Sequence, residues 1–217
     1  MPVQLMAITG GSGSGKTWLA KKIRRRLGAA AGLLSLDDFY HDLSGMPPAR
    51  RERVNFDHPA AIDWELFGHC LRQIKRGEKT RLPRYDFATH TRRTRTRVWP
   101  GRPVVLIDGL WLLSAPELRR LYSFMIYVEC PEEIRLARRL ARDQSERARS
   151  RASVLRQWRG HVQPMHERHV APQKAHAKVV VTPESADAAV DRLEQQLRRR
   201  AGLPGKSRRR FGSGSGI

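Results

Sequence analysis

A glycine-rich segment near the start of the chain constrains its fold most strongly. Residues 10–17 read Gly-Gly-Ser-Gly-Ser-Gly-Lys-Thr, which fits the pattern G-x-x-x-x-G-K-[ST], and they follow the short apolar run at residues 3–8. In this pattern a buried strand ends, glycines let the backbone wrap around an anion, and the N–H groups of the next helix point at a phosphate. The segment therefore predicts a strand, a phosphate-binding loop and a helix in succession.

The members of this loop are predicted to bind a nucleoside triphosphate. Lys16 would reach the β- and γ-phosphates, and Thr17 would offer its hydroxyl to Mg²⁺. The rest of the loop would surround the phosphates: Gly10, Gly11, Ser12, Gly13, Ser14 and Gly15. A flexible Gly/Ser turn is the alternative, but a complete motif between a predicted strand and a predicted helix argues against it.

Length and composition limit what the rest of the chain can be. With 217 residues, 40% of them hydrophobic, the chain suits one domain with a core of its own. No stretch approaches the roughly 18 apolar residues of a membrane-spanning helix, and the first strand starts too early to leave room for a signal peptide. Cys70 and Cys130 are too few for a disulfide framework or a metal site. We therefore expect a cytoplasmic protein.

The net charge of +21 would ordinarily suggest a polyanionic partner such as nucleic acid. The basic residues are mostly Arg, with dense runs at residues 24–26, 92–97, 135–159 and 198–210. Solvated helix faces and a basic lid over a triphosphate explain such runs better, because the aromatic interleaving that stacks on bases is missing from them. A nucleotide-regulated nucleic-acid-binding protein is the less favoured alternative.

Short apolar runs alternate with helical patterns along the chain. Further strands are predicted at residues 33–36, 104–107, 124–128 and 179–181. Helices are predicted at residues 16–30, with Gly32 ending the helix, and then at 63–76, 116–122, 132–143, from 153 into the 160s, and 186–200. This alternation predicts an α/β fold whose mostly parallel sheet is covered by helices on both faces.

Residues 80–98 do not follow this alternation. Tyr85 and Phe87 lie among many Thr and Arg residues without a helical period, which predicts irregular strands or a hairpin that projects from the core.

Carboxylates follow two of the predicted strands. Asp37 and Asp38 come after residues 33–36, and Asp108 follows residues 104–107. Ligands of open parallel sheets bind at the carboxyl ends of the strands, where one carboxylate can hold Mg²⁺ and another can accept a proton from an attacking hydroxyl. A lone Asp at a strand end is more often a turn residue or a cap, but two such positions beside a phosphate loop favour an active site.

Several segments carry a family resemblance. The chain closely resembles uridine–cytidine kinases of the uridine kinase/phosphoribulokinase group. The matching segments run in family order: residues 10–17, Leu-Ser-Leu-Asp-Asp-Phe-Tyr at 34–40, Asn-Phe-Asp-His-Pro-Ala-Ala-Ile-Asp at 55–63, Pro-Arg-Tyr-Asp-Phe-Ala-Thr-His-Thr-Arg at 83–92, Ile-Asp-Gly-Leu at 107–110, and Arg-Arg-Leu-Ala-Arg-Asp-Gln-Ser-Glu-Arg-Ala-Arg at 138–149.

The resemblance implies transfer of the γ-phosphoryl group of ATP, or of GTP, to the 5′-hydroxyl of uridine or cytidine with Mg²⁺. Asp37 matches the catalytic base of the family and lies near the metal. Asp57 matches the carboxylate that holds the ribose hydroxyls. Tyr85, Phe87 and His90 match the group around the pyrimidine, although the first two could be core aromatics of a hairpin and the third a surface histidine.

The resemblance also implies an Arg-rich helical lid. Its arginines are Arg139, Arg142, Arg147 and Arg149. Arg139 and Arg142 are assigned to catalysis, Arg147 to the triphosphate, and Arg139 and Arg149 to the nucleoside. Gln157 matches a family position near the substrate. The alternative for the lid is a solvated helix face, because Arg135, Arg138, Arg139 and Arg142 fall three to four residues apart.

The implied architecture is a three-layer P-loop kinase domain over residues 1–200. The nucleoside-binding hairpin would lie at about residues 80–100, the lid at about 135–150, and a disordered basic tail at 201–217. A homo-oligomer is the expectation that the resemblance gives for assembly.

Three positions depart from the family pattern. Asp108 stands where nucleoside kinases of the group usually have Glu, so that it would hold Mg²⁺ through water or leave part of that role unfilled. Trp18 replaces a small residue behind the phosphate loop, and Ala148 replaces a common Gly between two lid arginines. These departures bear most on the acceptor, for which a sugar phosphate of the kind that phosphoribulokinase uses is the alternative.

Overall fold

The computed structural model describes residues 2–51, 53–147 and 149–204, without the side chain of Arg147. Ala148 and most of the basic tail, residues 205–217, on which the sequence analysis makes predictions, lie outside the described residues. Within the first part of that tail, Ala201 is buried and Leu203 packs against the core.

The described residues form nine strands. They are β1 (Gln4–Gly10), β2 (Ala31–Ser35), β3 (Arg81–Leu82), β4 (Tyr85–Asp86), β5 (Thr91–Arg92), β6 (Arg97–Val98), β7 (Val104–Gly109), β8 (Phe124–Val128) and β9 (Val179–Val181). Five of them pair in the order β2-β7-β1-β8-β9, and every pairing in this sheet is parallel. The predicted α/β class with a mostly parallel sheet is confirmed.

The α-helices of the described residues connect and flank these strands. They are α1 (Lys16–Leu27), α2 (Pro48–Arg51), α3 (Trp64–Lys75), α4 (Pro116–Arg119), α5 (Glu132–Arg147), α6 (Arg151–Gln157), α7 (Gln163–Met165) and α8 (Ala186–Arg200). From α6 the chain continues helically through two π-helical turns and a 3₁₀ segment to His176. None of the described helices is both long and apolar enough to cross a membrane.

Each strand of the sheet buries side chains on both faces. In β1, Leu5 and Ala7 belong to one hydrophobic cluster, whereas Met6 and Ile8 belong to a second, because successive side chains of a strand point to opposite faces. The first cluster includes the buried side of α3, and the second includes the apolar sides of α1 and α8. The result is three layers, helix, sheet and helix, with a core on each face of the sheet.

The sequence pattern gives most element bounds closely and one of them wrongly. The strands β8 and β9 and the helix α8 have the predicted bounds, and α5 is one turn longer than predicted. The prediction that Gly32 ends the first helix is wrong. Gly28 ends it, with φ of 60°, while Gly32 lies inside β2, where a Cβ would come 2.3 Å from the Trp99 ring. In the sequence alone, a glycine needed for close packing cannot be told from one that ends a helix.

Residues 81–98 form the predicted projecting hairpins. The strands β3 and β6 pair with each other, as do β4 and β5, and both pairs are antiparallel. Leu82 and Tyr85 belong to the core cluster that contains the buried side of α3. The hairpins are therefore anchored to the face of the sheet that α3 covers.

The fold brings the predicted phosphate loop and the predicted carboxylates to one edge of the sheet. In β7, Asp108 is paired with Ser35 of β2 and with Ile8 of β1. The chain leaves β1 at Gly10 for the phosphate loop, and it leaves β2 at Ser35 for the 3₁₀ turn that carries Asp37. Parallel strands therefore deliver three functional segments to a common carboxyl edge.

Candidate active site

The phosphate loop is held in a conformation that only glycine adopts easily. Gly10 and Gly13 have φ of 147° and 78°, and a Cβ at Gly13 would lie 2.3 Å from the carbonyl oxygen of Arg135 in α5. A Cβ at Gly10 would lie 2.4 Å from the carbonyl oxygen of Val128. The loop is thus pressed between the end of β8 and the start of α5, and its shape is fixed by backbone contacts.

Lys16 lies half-buried at the end of this loop. Its ammonium group donates a hydrogen bond to the carbonyl oxygen of Gly11 at 2.8 Å. Burial lowers the pKa of Lys16 to about 8, although the carboxylates of Asp108 and Asp37 oppose this shift; the positive charge of Arg142 adds to it. An ammonium group that is partly removed from water and faces the cavity gains most from an anion that binds close to it.

Oxygen ligands converge beside Lys16. The hydroxyl of Thr17 donates a hydrogen bond to a carboxylate oxygen of Asp108, and Asp37 lines the same cavity. A hydroxyl and carboxylates are ligands that Mg²⁺ accepts, so these three residues fit the predicted metal role. Among the described residues no group of three or more His, Cys, Asp or Glu side chains could enclose a metal ion. Such a site suits an ion that keeps waters and substrate phosphate among its ligands.

Asp38, the second carboxylate after β2, has another task. One of its oxygens accepts a hydrogen bond from the backbone N–H of Tyr85 at 3.4 Å, and burial raises its pKa. It therefore ties the hairpins to the carboxyl edge of the sheet.

A single cavity of about 960 Å³ joins the phosphate loop to the hairpins. Of the residues predicted for the donor and the metal, Ser12, Lys16, Thr17, Asp37 and Asp108 line it. Every residue predicted for the nucleoside also lines it: Asp57, Tyr85, Phe87, His90, Arg139, Arg149 and Gln157. Its volume lies at the upper end of the range of about 300–1,000 Å³ that ligand cavities generally span, so it has room for more than a small fragment.

Aromatic rings form one wall of this cavity. Tyr85 contacts Tyr40 and Phe87 with ring centroids 5.2 and 5.4 Å apart, and Phe56 stacks on His90 at 4.4 Å with an interplanar angle of 14°. Tyr85 is buried, whereas 42% of Phe87 is exposed. The cluster thus has a fixed inner side and an open outer side against which a planar ring can pack.

A buried polar group lies between the aromatic wall and the phosphate loop. Arg139 donates from Nη1 to the Ser12 hydroxyl at 3.0 Å and contacts a carboxylate oxygen of Asp57 at 3.4 Å. Its Nη2 donates to Oε1 of Gln157 at 3.0 Å, and the amide of Gln157 lies 3.5 Å from the other oxygen of Asp57. Because Arg139 touches both the phosphate loop and Asp57, it connects the two ends of the cavity.

The lid arginines are only partly a solvated face. Arg139 is 4% exposed, while Arg142 and Arg149 keep about a third of their side chains in solvent. Arg149 donates to Oε1 of Gln157 at 2.6 Å. The backbone of Arg147 ends α5, and its side chain lies outside the described residues. The interpretation of the whole row as a solvated helix face is therefore wrong for Arg139.

Sequence reasoning did not assign a role to four residues of the site. Tyr40 and Phe56 complete the aromatic wall, and Asp143, fully buried, contacts three of the lid arginines. Arg135, named only as part of the lid face, is 3% exposed and lies against Gly11. Tyr40, Phe56 and Asp143 belong to the segments that match the family. Their position within those segments is the signal that could have identified them.

Comparison with known proteins places the chain among kinases of small alcohols. The model described as "Phosphoribulokinase / Uridine kinase family" matches residues 5–189. A uridine kinase of Halobacterium salinarum is 34% identical over 91% of this chain and 88% of that protein. One of Chloroflexus aggregans is 38% identical over 89% of this chain and 95% of that protein.

Solved structures agree on the fold. The phosphoribulokinase of Rhodobacter spheroides superposes with a TM-score of 0.61 at 16% sequence identity, covering 83% of this chain and 70% of that one. At such identity the likeness concerns the P-loop kinase fold alone.

Proposed function

This chain belongs to the phosphoribulokinase/uridine kinase family, and we propose that it transfers the γ-phosphoryl group of ATP to the 5′-hydroxyl of uridine or cytidine. The observation that carries the proposal is the single cavity that joins Lys16 and Asp37 to Asp57 and the aromatic wall. A donor site and a site for a ribose with a planar base thus open into each other.

At the donor end, the phosphate loop and Lys16 would hold the triphosphate. Backbone N–H groups at the start of α1 and the Lys16 ammonium supply positive charge where the phosphate oxygens would lie. Thr17 and Asp108, with Asp37 nearby, would hold Mg²⁺ directly or through water, and the ion when bound neutralises charge on the phosphates. Arg142 and Arg147 would add positive charge from the lid.

At the acceptor end, Asp57 would accept hydrogen bonds from the ribose hydroxyls. Asp57 is 8% exposed, so a nucleoside without the 2′-hydroxyl would leave a buried acceptor without that partner, at a substantial cost in binding. Tyr85, Phe87 and His90 would pack around the pyrimidine, and Arg149 and Gln157 would close this end of the cavity.

The transfer itself requires positioning more than covalent chemistry. With the nucleoside 5′-hydroxyl placed between Asp37 and the γ-phosphate, its oxygen would attack phosphorus as the bond to the leaving ADP oxygen breaks, and Asp37 would take the hydroxyl proton. Arg139 reaches toward both substrates and would stabilise the charge on the transferred group.

An assay of acceptors tests the proposal directly. ATP-dependent ADP release is measured with uridine, cytidine, 2′-deoxyuridine, adenosine and ribulose 5-phosphate at equal concentration. We expect uridine and cytidine to be the best acceptors, with 2′-deoxyuridine slower by roughly 100-fold in kcat/KM because Asp57 loses a partner. If ribulose 5-phosphate alone stimulates ADP release, the acceptor is a sugar phosphate and not a nucleoside. If none of these acceptors stimulates ADP release and the protein binds RNA in a salt-sensitive way, the proposal of a small-alcohol kinase is contradicted.

Location and assembly follow from the same family membership. We propose a cytoplasmic protein, in keeping with two buried free cysteines, and a homo-oligomer, for which light scattering of the purified protein is the measurement.

A further inference from the structure

Asp143 lies at the centre of the lid arginines. Its side chain has no exposed surface, and it occupies the last turns of α5, next to the cavity but not among its lining residues. One carboxylate oxygen accepts from Nε of Arg142 at 2.9 Å and lies 2.8 Å from Nη2 of the same side chain. The other oxygen lies 3.4 Å from Nε of Arg139 and 3.8 Å from Nη1 of Arg149.

Two of these arginines reach into the active site from Asp143. Arg139 turns its Nε toward Asp143 and its Nη1 toward Ser12 and Asp57. Arg149 shares Gln157 with Arg139, and its backbone N–H also donates to the carbonyl oxygen of Asp143 at 3.1 Å. The carboxylate thus contacts Arg139 and Arg149 on a side that leaves other donors for the cavity.

Electrostatics favours a negatively charged group at this place. Three guanidinium groups so close together repel one another, and a long arginine side chain has many rotamers in which its donors miss a phosphate. A buried carboxylate reduces the repulsion: it holds the guanidinium of Arg142 through a charge-assisted hydrogen bond and attracts those of Arg139 and Arg149 as ion pairs. A buried carboxylate is itself costly unless it is paired, and this one is paired with cations that the reaction needs.

We propose that Asp143 is a positioning residue that orients Arg139, Arg142 and Arg149 for phosphoryl transfer. It acts through the arginines and touches neither substrate. The kinetic part of this proposal rests on the proposed kinase activity, whereas the orientation of the arginines does not.

The variant Asp143→Asn separates orientation from binding. It keeps the shape of the side chain and removes one negative charge, so a triphosphate meets a more positive lid. We expect kcat with uridine to fall by roughly 10- to 100-fold because the arginines are misplaced, while the KM for ATP does not rise. The variant Asp143→Glu, which keeps the charge one methylene away, is expected to retain more of kcat than Asp143→Asn.

Glu194→Gln is the matched control. Glu194 is another buried carboxylate between arginines, with Arg198 Nε at 3.0 Å and Arg26 Nη1 at 3.9 Å, but it lies on α8, which contributes no residue to the cavity. We expect this variant to unfold at a lower temperature than the wild type and to keep its kcat. An equal loss of kcat in both variants would reduce Asp143 to a stabilising residue and overturn the proposal.

Arginine NMR signals provide a readout that needs no acceptor. In protein labelled with ¹⁵N-arginine, Asp143→Asn should shift the Nε–H signal of Arg142, assigned through Arg142→Lys, toward that of a mobile arginine. Glu194→Gln should shift the Arg198 signal instead. An unchanged Arg142 signal would contradict the proposal even in an active enzyme, and inactivity of the wild type toward uridine would contradict only the proposed function.

Discussion

The donor and acceptor ends of the cavity are built by different means. The phosphate loop is shaped by backbone: buried strands lead into it, and Gly10 and Gly13 lie against the carbonyl oxygens of Val128 and Arg135. The acceptor end is shaped by side chains from short segments, among them hairpins whose strands have two residues each. One end is part of the central sheet, and the other projects from it.

The two ends of the cavity differ in construction because they bind different kinds of substrate. A triphosphate is bound through the same backbone groups whatever the acceptor, so its site can belong to the core of the fold. The acceptor must be selected by shape and hydrogen bonds, which side chains on projecting segments can supply without a change to the sheet. Changes at the donor end should therefore affect folding and every reaction alike, whereas changes at the acceptor end should affect one substrate.

A methyl group at Gly13 should impair the donor end more than the other changes considered below. In Gly13→Ala the Cβ would meet the carbonyl oxygen of Arg135 in a backbone conformation with φ of 78°. We expect the free energy of unfolding to fall by about 2 kcal/mol and kcat/KM for ATP to fall by roughly 100-fold. Thermal unfolding and steady-state kinetics measure both.

The control for this variant is Gly45→Ala. Gly45 is exposed, and no atom beyond its two chain neighbours lies within 4 Å of the position of its Cβ. If Gly13→Ala and Gly45→Ala had the same kinetic constants, the phosphate loop would tolerate a displaced backbone. That result would contradict the view that backbone contacts fix the shape of the loop.

Loss of the Phe87 ring should affect the acceptor alone. Because the ring is partly exposed and packs edge-on against Tyr85, Phe87→Ala should cost little stability. We expect the KM for uridine to rise by roughly tenfold through lost stacking, with the KM for ATP unchanged. Val98→Ala, at another exposed apolar residue of the hairpins outside the cavity, is the control. A rise in the KM for ATP instead would place Phe87 at the donor.

The protonation of Lys16 gives the smallest expected effect. With a pKa of about 8, Lys16 loses its proton as the pH rises, and kcat/KM for ATP should fall about fourfold between pH 7 and 8.5. The phosphates of bound ATP stabilise the charged form of Lys16, so the decline of kcat should occur at higher pH than the decline of kcat/KM. The same rate decline in kcat/KM for uridine at saturating ATP would assign the titration to another group.

The same ionisation affects folding with a definite sign. The pKa of Lys16 is lower in the folded protein than its usual 10.5, so between about pH 8 and 10.5 the unfolded chain binds more protons. Lys16 therefore contributes stability that increases with pH across this window, and Lys16→Met should remove that increase from the pH dependence of unfolding.

The donor end could be predicted from the sequence, and the reason is local. The motif, the strand before it and the helix after it are contiguous, so residues 10–17 predict their own geometry. Asp37 and Asp108 could be added because the parallel register of β2, β1 and β7 carries strand ends to one edge.

The acceptor end could be placed only through family resemblance. Asp57, Tyr85 and Gln157 come from separate segments, and no periodicity predicts that they share a cavity. Asp143 was missed for a related reason: within an Arg-rich helix an acidic residue suggests a surface ion pair, and only the fold shows that it is buried. Gly32 was misread because the Trp99 ring that requires it is distant in sequence.

The central claim is that the two ends meet at Asp37, where the acceptor hydroxyl gives up its proton. The direct test is Asp37→Asn, with ATP and uridine binding measured by calorimetry and turnover by ADP release. The account predicts an intact fold, both substrates bound within about threefold of the wild type, and turnover lower by roughly 1,000-fold. Full turnover by this variant would contradict the assignment of Asp37 as the base.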